Sequence, residues 1–483
     1  MSTDYIATIS EQMGESDTLY AAIKSFKGLA DIIDFSNGNP LGQPFIPASN
    51  AGALAFTSPE MRQYGFTSGL RSVRETVARY IESDVYRSSV LINADNVICG
   101  EGGVTALYSS FLKAIIKPDD VVLVTAPGYG LFSNQPKVEG ADVYAVPLRE
   151  EDHYHHNSEM IDNAITDINR TGKHVRAFLF ANPLNPTGNV ERDEQLRELA
   201  AVFRKHDIFI IEDMAYRGTV YDQQDPVHSI VSVAPDMLPQ TLTLESLSKA
   251  YGLAAARAGF AVGTQDNIKK IADNMAVFVD TTALPQQKAI EATFHPSNNV
   301  ERLGYLDKLA TDYKYRFAIL KAFIEGIDTV GNRYKEKIER EISNIYSNEF
   351  EELLDGIPGV KVVTTPEAGF FAPVDFSDWR CKFFGNMKIE TTHSLVVELL
   401  AKNAGILTLP SQSMMWPTTH LIVRLSLVAE QMLPGREHSE HPDIRNLIEG
   451  LARIKAISKR LTSTPQHELS PPGNQSLLLQ FLT

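Results

Sequence analysis

Ser246-Leu247-Ser248-Lys249-Ala250-Tyr251-Gly252-Leu253-Ala254-Ala255-Ala256-Arg257-Ala258-Gly259 follows directly on the strand-like run Thr241 to Leu244. A lysine just past a strand, with two serines before it and an arginine after it, can build a cofactor site. The amine forms an imine, and the serines and the arginine neutralise a phosphate through charge-assisted hydrogen bonds. An isolated Ser-x-Ser-Lys reads more simply as a solvated loop. Arg257 with Gly259 behind it argues against that plain reading.

Two upstream segments also follow apolar runs. In Asn182-Pro183-Leu184-Asn185-Pro186-Thr187-Gly188 the composition supports a plain turn. The functional alternative has Asn185 hydrogen-bonding a ring oxygen while the prolines stiffen the loop. Asp213-Met214-Ala215-Tyr216 closes the run Ile208 to Ile211. A carboxylate there caps the next helix or, against a pyridine nitrogen, keeps an electron-sink ring protonated. Tyr216 is placed to donate to the ring oxygen.

The apolar runs Val97-Ile98, Val121 to Val124, Val143 to Val146, Ala177 to Phe180, Ile208 to Ile211, Leu242 to Leu244 and Phe260 to Val262 alternate with amphipathic stretches such as Thr105 to Ile116 and Arg192 to Lys205. That alternation predicts βα units around a mostly parallel seven-stranded sheet between helices, an α/β fold whose ligands gather at the carboxyl ends of the strands. Helical periodicity from Asn299 through Ile324 leads to the charged stretch Arg333 to Glu351. Short strand-like runs follow at Val360 to Val363, Phe370 to Val374 and Leu421 to Leu427, with a helix-like Thr392 to Lys402 between them. These predict a smaller α+β C-terminal domain. The expected division is an N-terminal arm and part of the small domain over 1–50, a large domain over 51–310, the small domain over 311–462 and a flexible tail over 463–483. Residues 433–443 read as a loop-like insert.

The chain of 483 residues is 43% apolar and 22% charged, an ordinary globular composition. Its formal net charge of -15 argues against nucleic acid, which needs clustered Lys and Arg. Cys99 and Cys381 are too few for a disulfide framework and lie in no metal-ligand spacing. No basic-then-apolar leader is visible, and no apolar run approaches the roughly 20 residues needed to cross a bilayer. A cytoplasmic protein that binds no membrane is the expectation.

The set Asn-Pro-x-Asn-Pro-Thr-Gly, Asp-x-Ala-Tyr and Ser-x-Ser-Lys with its distant Arg-x-Gly resembles the class I/II aminotransferases of the aspartate aminotransferase fold, fold type I of the pyridoxal 5′-phosphate (PLP) enzymes. The resemblance spans about residues 30 to 455. Gly38-Asn39-Pro40, Tyr64-Gly65 with Gly69-Leu70, Gly102-Gly103-Val104, Pro127-Gly128-Tyr129, Pro366 with Gly369-Phe370, and Val423-Arg424-Leu425-Ser426 match in order. It implies that Lys249 forms the Schiff base with PLP and then shuttles the proton. It also implies that Asp213 pairs with the pyridine nitrogen, Asn185 and Tyr216 hold the phenolic oxygen, and Tyr129 stacks on the ring. Ser246, Arg257 and the helix start at Gly103-Val104 hold the phosphate, where backbone N–H groups independently favour an anion. Tyr64 reaches the phosphate of a neighbouring subunit, which implies a homodimer with composite active sites. Arg424 grips the substrate α-carboxylate bidentately, and Gly38 lines the substrate pocket. Family members often carry a hydroxyl residue at the positions of Gly102 and Val104. Fewer side-chain contacts to the phosphate are therefore expected, with Ser248 taking up part of the role.

Amino-group transfer between an L-amino acid and a 2-oxo acid is the expected outcome. The same fold and site also support β- or γ-elimination, decarboxylation, cyclopropane formation and oxidation. Val277 to Pro285 holds no arginine where dicarboxylate-specific members place one, which favours a neutral or aromatic amino acid. Phe278 and Phe35 are candidates to line such a pocket, with plain core the commoner role for phenylalanine. His153, His155 and His156 sit in a polar loop without ligand spacing, so no metal is expected. Arg333 to Glu351 reads as a solvated helix face.

Overall fold

The computed structural model describes residues 22, 31–347, 350–417, 419–432 and 443–465. The expected tail and insert, apart from 463–465 and 443, and most of the N-terminal arm lie outside the described residues. The chain divides into two compact units. One comprises Asn39–Ala310 with Glu367–Gly369, and the other, among the described residues, those up to Gly38, those in 311–366 and those from Phe370 onward.

In the first unit all seven apolar runs are strands: β1 (Val97–Glu101), β2 (Asp120–Ala126), β3 (Asp142–Pro147), β4 (His174–Ala181), β5 (Phe209–Asp213), β6 (Thr241–Ser246) and β7 (Ala258–Val262). Most extend past the apolar run, because backbone pairing continues through the polar residues that flank it. They form one sheet in the order β1-β7-β6-β5-β4-β2-β3. Strands β2 to β6 pair in parallel, while β7 is antiparallel to both β6 and β1. A parallel return needs a crossover of about a dozen residues or more, usually a helix. Between β6 and β7 there are turns and one short helical turn, Ala254–Ala256, but no crossover helix, so the chain comes straight back. Strand β1 thus points the same way as β6, and β7 alone runs in reverse.

Helices cover the sheet. The helix α1 (Ser158–Arg170) buries Ile161, Ala164, Ile165 and Ile168, and α2 (Asp193–His206) buries Leu196, Leu199, Ala200 and Phe203. This three-and-four spacing is one apolar stripe turned to the strands. Every residue of β2 and β6 is buried, as expected of a sheet covered on both faces. Each large apolar side chain so placed contributes about 1.5–3 kcal/mol.

The second unit has a four-stranded antiparallel sheet in the order Leu409–Pro410, Ile422–Ser426, Phe371–Asp375, Lys361–Val362. The strand Ile32–Asp34 lies between Ile406–Leu407 and Glu430–Met432. The charged stretch is the amphipathic helix Asn332–Tyr346, with Ile338, Ile342 and Tyr346 turned inward. Phe35 is wholly buried, and a Cβ on Gly450 would sit 2.2 Å from its ring, so Phe35 is core.

Candidate active site

Because six strands share one direction, their carboxyl ends share one edge of the sheet. Tyr129 follows β2, the Asn182–Gly188 loop follows β4, Asp213 ends β5, and Ser246, Ser248 and Lys249 lie at and beyond the end of β6. Gly102, Gly103 and Val104 follow β1. Arg257 reaches the same edge only because β7 is reversed: it immediately precedes that strand's first residue.

Gly102 and Gly103 have φ of 74° and 68°, a left-handed pair suited to glycine. Gly103 donates its N–H to Arg257 O at 3.0 Å, and Arg257 Nη2 donates to Gly102 O at 2.5 Å. A Cβ on Gly103 would lie 3.5 Å from Ser248 Oγ, 3.7 Å from Arg257 Nη2 and 3.8 Å from Ser246 Cβ. The glycine therefore opens a cradle walled by two hydroxyl side chains and a guanidinium. Helix α3 (Thr105–Ile115) begins there with Val104 at its N-cap and no side-chain cap. Its first N–H groups and its dipole favour an anion. Gly259 is needed for this approach, since its own Cβ would fall 2.7 Å from Gly103 C, 2.8 Å from Gly103 O and 3.0 Å from Glu245 O.

Asp213 is buried and accepts from Ala215 N at 2.9 Å. Burial pushes its carboxyl up to about 6, against the opposing pull of the Ala215 N–H and of Lys249. Lys249 Nζ stands 5.8 Å from the centre of the Tyr216 ring. Asn185 is buried, and Tyr129, half exposed, packs edge-on against Phe132 at 5.2 Å. Tyr64 is 90% exposed. An amine, a buried carboxyl in need of a cation and an anion cradle at a helix start together fit PLP, with its aldehyde, pyridine nitrogen and phosphate.

Within the second unit, Arg424 and Gly38 are also brought together. Arg424 is buried, lies 3.6 Å over the Phe371 ring, and donates to Ser36 O at 3.2 Å and Asn37 O at 3.3 Å, adjoining Gly38. Phe278, by contrast, is 61% exposed beneath Lys113 and is not core.

In the first unit, three buried glutamates escaped the sequence reading. Glu212 accepts from Ser229 Oγ at 2.5 Å and Ile230 N at 3.0 Å, and burial pushes its carboxyl up to about 7. Glu245 accepts from Tyr80 at 2.9 Å, with Arg217 bonded to the same hydroxyl at 2.7 Å. Its carboxyl is also raised to about 7 by burial. Both precede a site residue in a strand, so alternation turns them to the opposite face. A charge inside an apolar strand run was the available signal. The third, Glu191, accepts from His155 and His156. His156 is buried against Phe178 and Phe180, which corrects its reading as part of a polar loop.

Residues 30–333 match the profile of the family "Aminotransferase class I and II". The chain belongs to that family. Among curated relatives it is similar to the asparagine–oxo-acid transaminase of Streptococcus mutans, 29% identical over 62% of this chain and 76% of that one. It is also similar to the aspartate aminotransferase of Bacillus sp. (strain YM-2), 26% identical over 60% and 71%. Among solved structures, the aspartate aminotransferase of Rhizobium meliloti superposes with a TM-score of 0.71 at 18% identity, over 96% of this chain and all of that one. This aminotransferase thus has the aspartate aminotransferase fold. It is a PLP-dependent transferase of amino groups, and the transamination expected from the sequence is what the family performs.

Proposed function

We propose that this aminotransferase works through Lys249, as a homodimer, on a neutral or aromatic L-amino acid and a 2-oxo acid. The observation that carries the reading is the meeting of Lys249, Asp213 and the Gly103 cradle at one sheet edge. Lys249 carries the cofactor on its amine. Asp213 would meet the pyridine nitrogen, Asn185 and Tyr216 the phenolic oxygen, and Tyr129 a face of the ring. Gly103, Val104, Ser246, Ser248 and Arg257 hold the phosphate. When bound, PLP supplies an electron sink for negative charge developing at the substrate Cα.

The remaining work belongs to side chains. The Lys249 amine takes the α-proton and returns it, a role open to an amine on a rigid turn. Asp213, already short of a compensating cation, favours a protonated ring nitrogen against it. Arg424 binds the α-carboxylate, pre-oriented by two carbonyls and the Phe371 ring, so that the bond to be broken is presented correctly. Gly38 leaves room beside it.

The exposed apolar side chains Leu54, Phe56, Met61, Tyr64 and Phe66 within one short segment support a subunit interface, with Tyr64 completing the partner's phosphate site. The absence of arginine from Val277 to Pro285 supports the side-chain preference. Two free thiols, Cys99 and Cys381, support the reducing cytoplasm. An amino-acid panel with 2-oxoglutarate or pyruvate, read by mass, tests the reading. Matched product pairs from neutral or aromatic donors are expected, and turnover of aspartate alone refutes the preference.

A further inference from the structure

The loop carrying Asn185 is closed at its base by side chains rather than by strand pairing. Asn182 Nδ2 donates to Glu191 O at 3.1 Å, and Glu191 N donates to Asn182 Oδ1 at 3.0 Å. Inside that closure Leu184 N donates to Asn189 O at 2.9 Å and Gly188 N to Leu184 O at 2.8 Å. Asn182 N also donates to Asp213 O at 2.9 Å, so the loop starts against the strand that carries the site carboxyl. Its far end is tied to the segment 153–156: Asn189 Nδ2 donates to His153 O at 2.6 Å. The Glu191 carboxylate there receives His156 N at 3.0 Å, His156 Nδ1 at 2.6 Å and His155 Nδ1 at 3.2 Å.

We propose that Glu191, with His155 and His156, is a positioning clamp that sets where Asn185 meets the cofactor's phenolic oxygen. The inference rests on the Asn185 role proposed above and adds residues that touch neither substrate nor cofactor. Glu191 and the His156 side chain are almost wholly buried, with His156 wedged between loop and sheet by Phe178 and Phe180 at 6.0 and 5.4 Å. Burial by itself would push the Glu191 carboxyl up, but the two imidazoles overcome it and hold it at about 2. The carboxylate is thus ionised and acceptor-only, so each Nδ1 carries a proton and donates. His155 is correspondingly raised by its bond to Glu191, with Glu367 adding in the same direction. Charge-assisted bonds of this kind fix a side chain more firmly than neutral ones. The loop backbone that presents Asn185 is braced between this clamp and Glu367, whose N–H reaches Gly188 O at 2.9 Å.

The test is the absorbance of the holoenzyme against pH. A donor at the phenolic oxygen stabilises its negative charge and makes the cofactor's imine nitrogen less basic, so losing that donor moves the spectral midpoint upward. Asn185→Ala is expected to raise it by about half a unit or more. Glu191→Gln is expected to raise it too, and the double variant to match Asn185→Ala alone, because the clamp acts only through that residue. His155 is partly exposed, so His155→Ala serves as a milder variant with a smaller upward shift if Glu191→Gln folds poorly. His156→Asn keeps a donor near the Nδ1 position and is expected to titrate as the native enzyme, whereas His156→Leu shifts. Additive shifts in the double variant overturn the clamp. Native midpoints for Glu191→Gln and His155→Ala beside a shifted Asn185→Ala also overturn it, while leaving the Asn185 role intact. A native midpoint for Asn185→Ala overturns that role and the clamp with it.

Discussion

Replacing Gly259 by alanine introduces a methyl group where the backbone of two neighbouring segments already stands. The new carbon meets Gly103 C at 2.7 Å, Gly103 O at 2.8 Å and Glu245 O at 3.0 Å. Ordinary contact begins near 3.4 Å, so a gap of about 0.7 Å must open. Neither neighbour is the end of a flexible side chain. Gly259 is paired with Gly100 on one side and Ser246 on the other, so strain cannot leave through a loop. Overpacking of this kind costs about 1–3 kcal/mol. For a unit of this size that lowers the apo-protein melting temperature by roughly 2–12 °C. The softer side of the clash is the Gly102-Gly103 turn, which forms the anion cradle. Loss of about 1.4 kcal/mol of phosphate binding there weakens PLP affinity about tenfold. Differential scanning fluorimetry of the apo protein and fluorescence titration with PLP measure both effects. Gly304→Ala is the control: its helical Cβ would meet nothing within 4 Å, so stability should hold or rise by up to about 1 kcal/mol. A Gly259→Ala protein with native melting temperature and native PLP affinity would refute the close-approach reasoning.

Lys249→Ala should abolish transamination and remove the borohydride-trapped cofactor from the peptide containing residue 249, while PLP still binds through the phosphate cradle; retained transamination, with the cofactor trapped on a different lysine, would sink the assignment. Asp213 makes a pH prediction. Its carboxyl is raised from 3.8 to about 6 in the folded apo protein, so the native state holds that proton more tightly than the unfolded chain. Stability from this group is therefore highest below about pH 4, falls by about 3 kcal/mol as pH rises to about 6, and is flat above. Apo Asp213→Asn should melt higher than native apo protein above pH 6, with the difference vanishing towards pH 4, and should gain less from added PLP. Superimposable apo melting profiles from pH 4 to 8 would rule this out. Glu212 and Glu245 titrate in both proteins, so the difference between the two curves isolates Asp213.

Much of the site was legible because its parts are local. Lys249 lies three positions beyond Ser246, and Asp213 closes an apolar run, so strand-then-polar punctuation marks both. The roles assigned to Asn185, Tyr216 and Tyr129 rested on the resemblance and not on the spacing. Glu191 was illegible for a physical reason: its partners His155 and His156 are more than thirty positions away, and only folding brings the two loops together. Phe278, for which core was the commoner expectation and a pocket wall the alternative, is exposed, because hydrophobicity alone does not tell which way a side chain faces.

The sequence by itself determined the seven strands and the βα alternation and marked Lys249 as a candidate, because hydrophobic period and turn chemistry act over a few residues. Tertiary structure decided which edge each motif occupies. Arg257 is the clearest case: its position after Lys249 says nothing about direction, and a helical crossover would have carried it to the far edge of the sheet. The short return before β7 reverses that strand, Gly259 allows it to lie against the Gly103 turn, and the guanidinium comes to Gly102 O. Strand direction and backbone packing made the cradle around Lys249, and neither is written in the local spacing of residues.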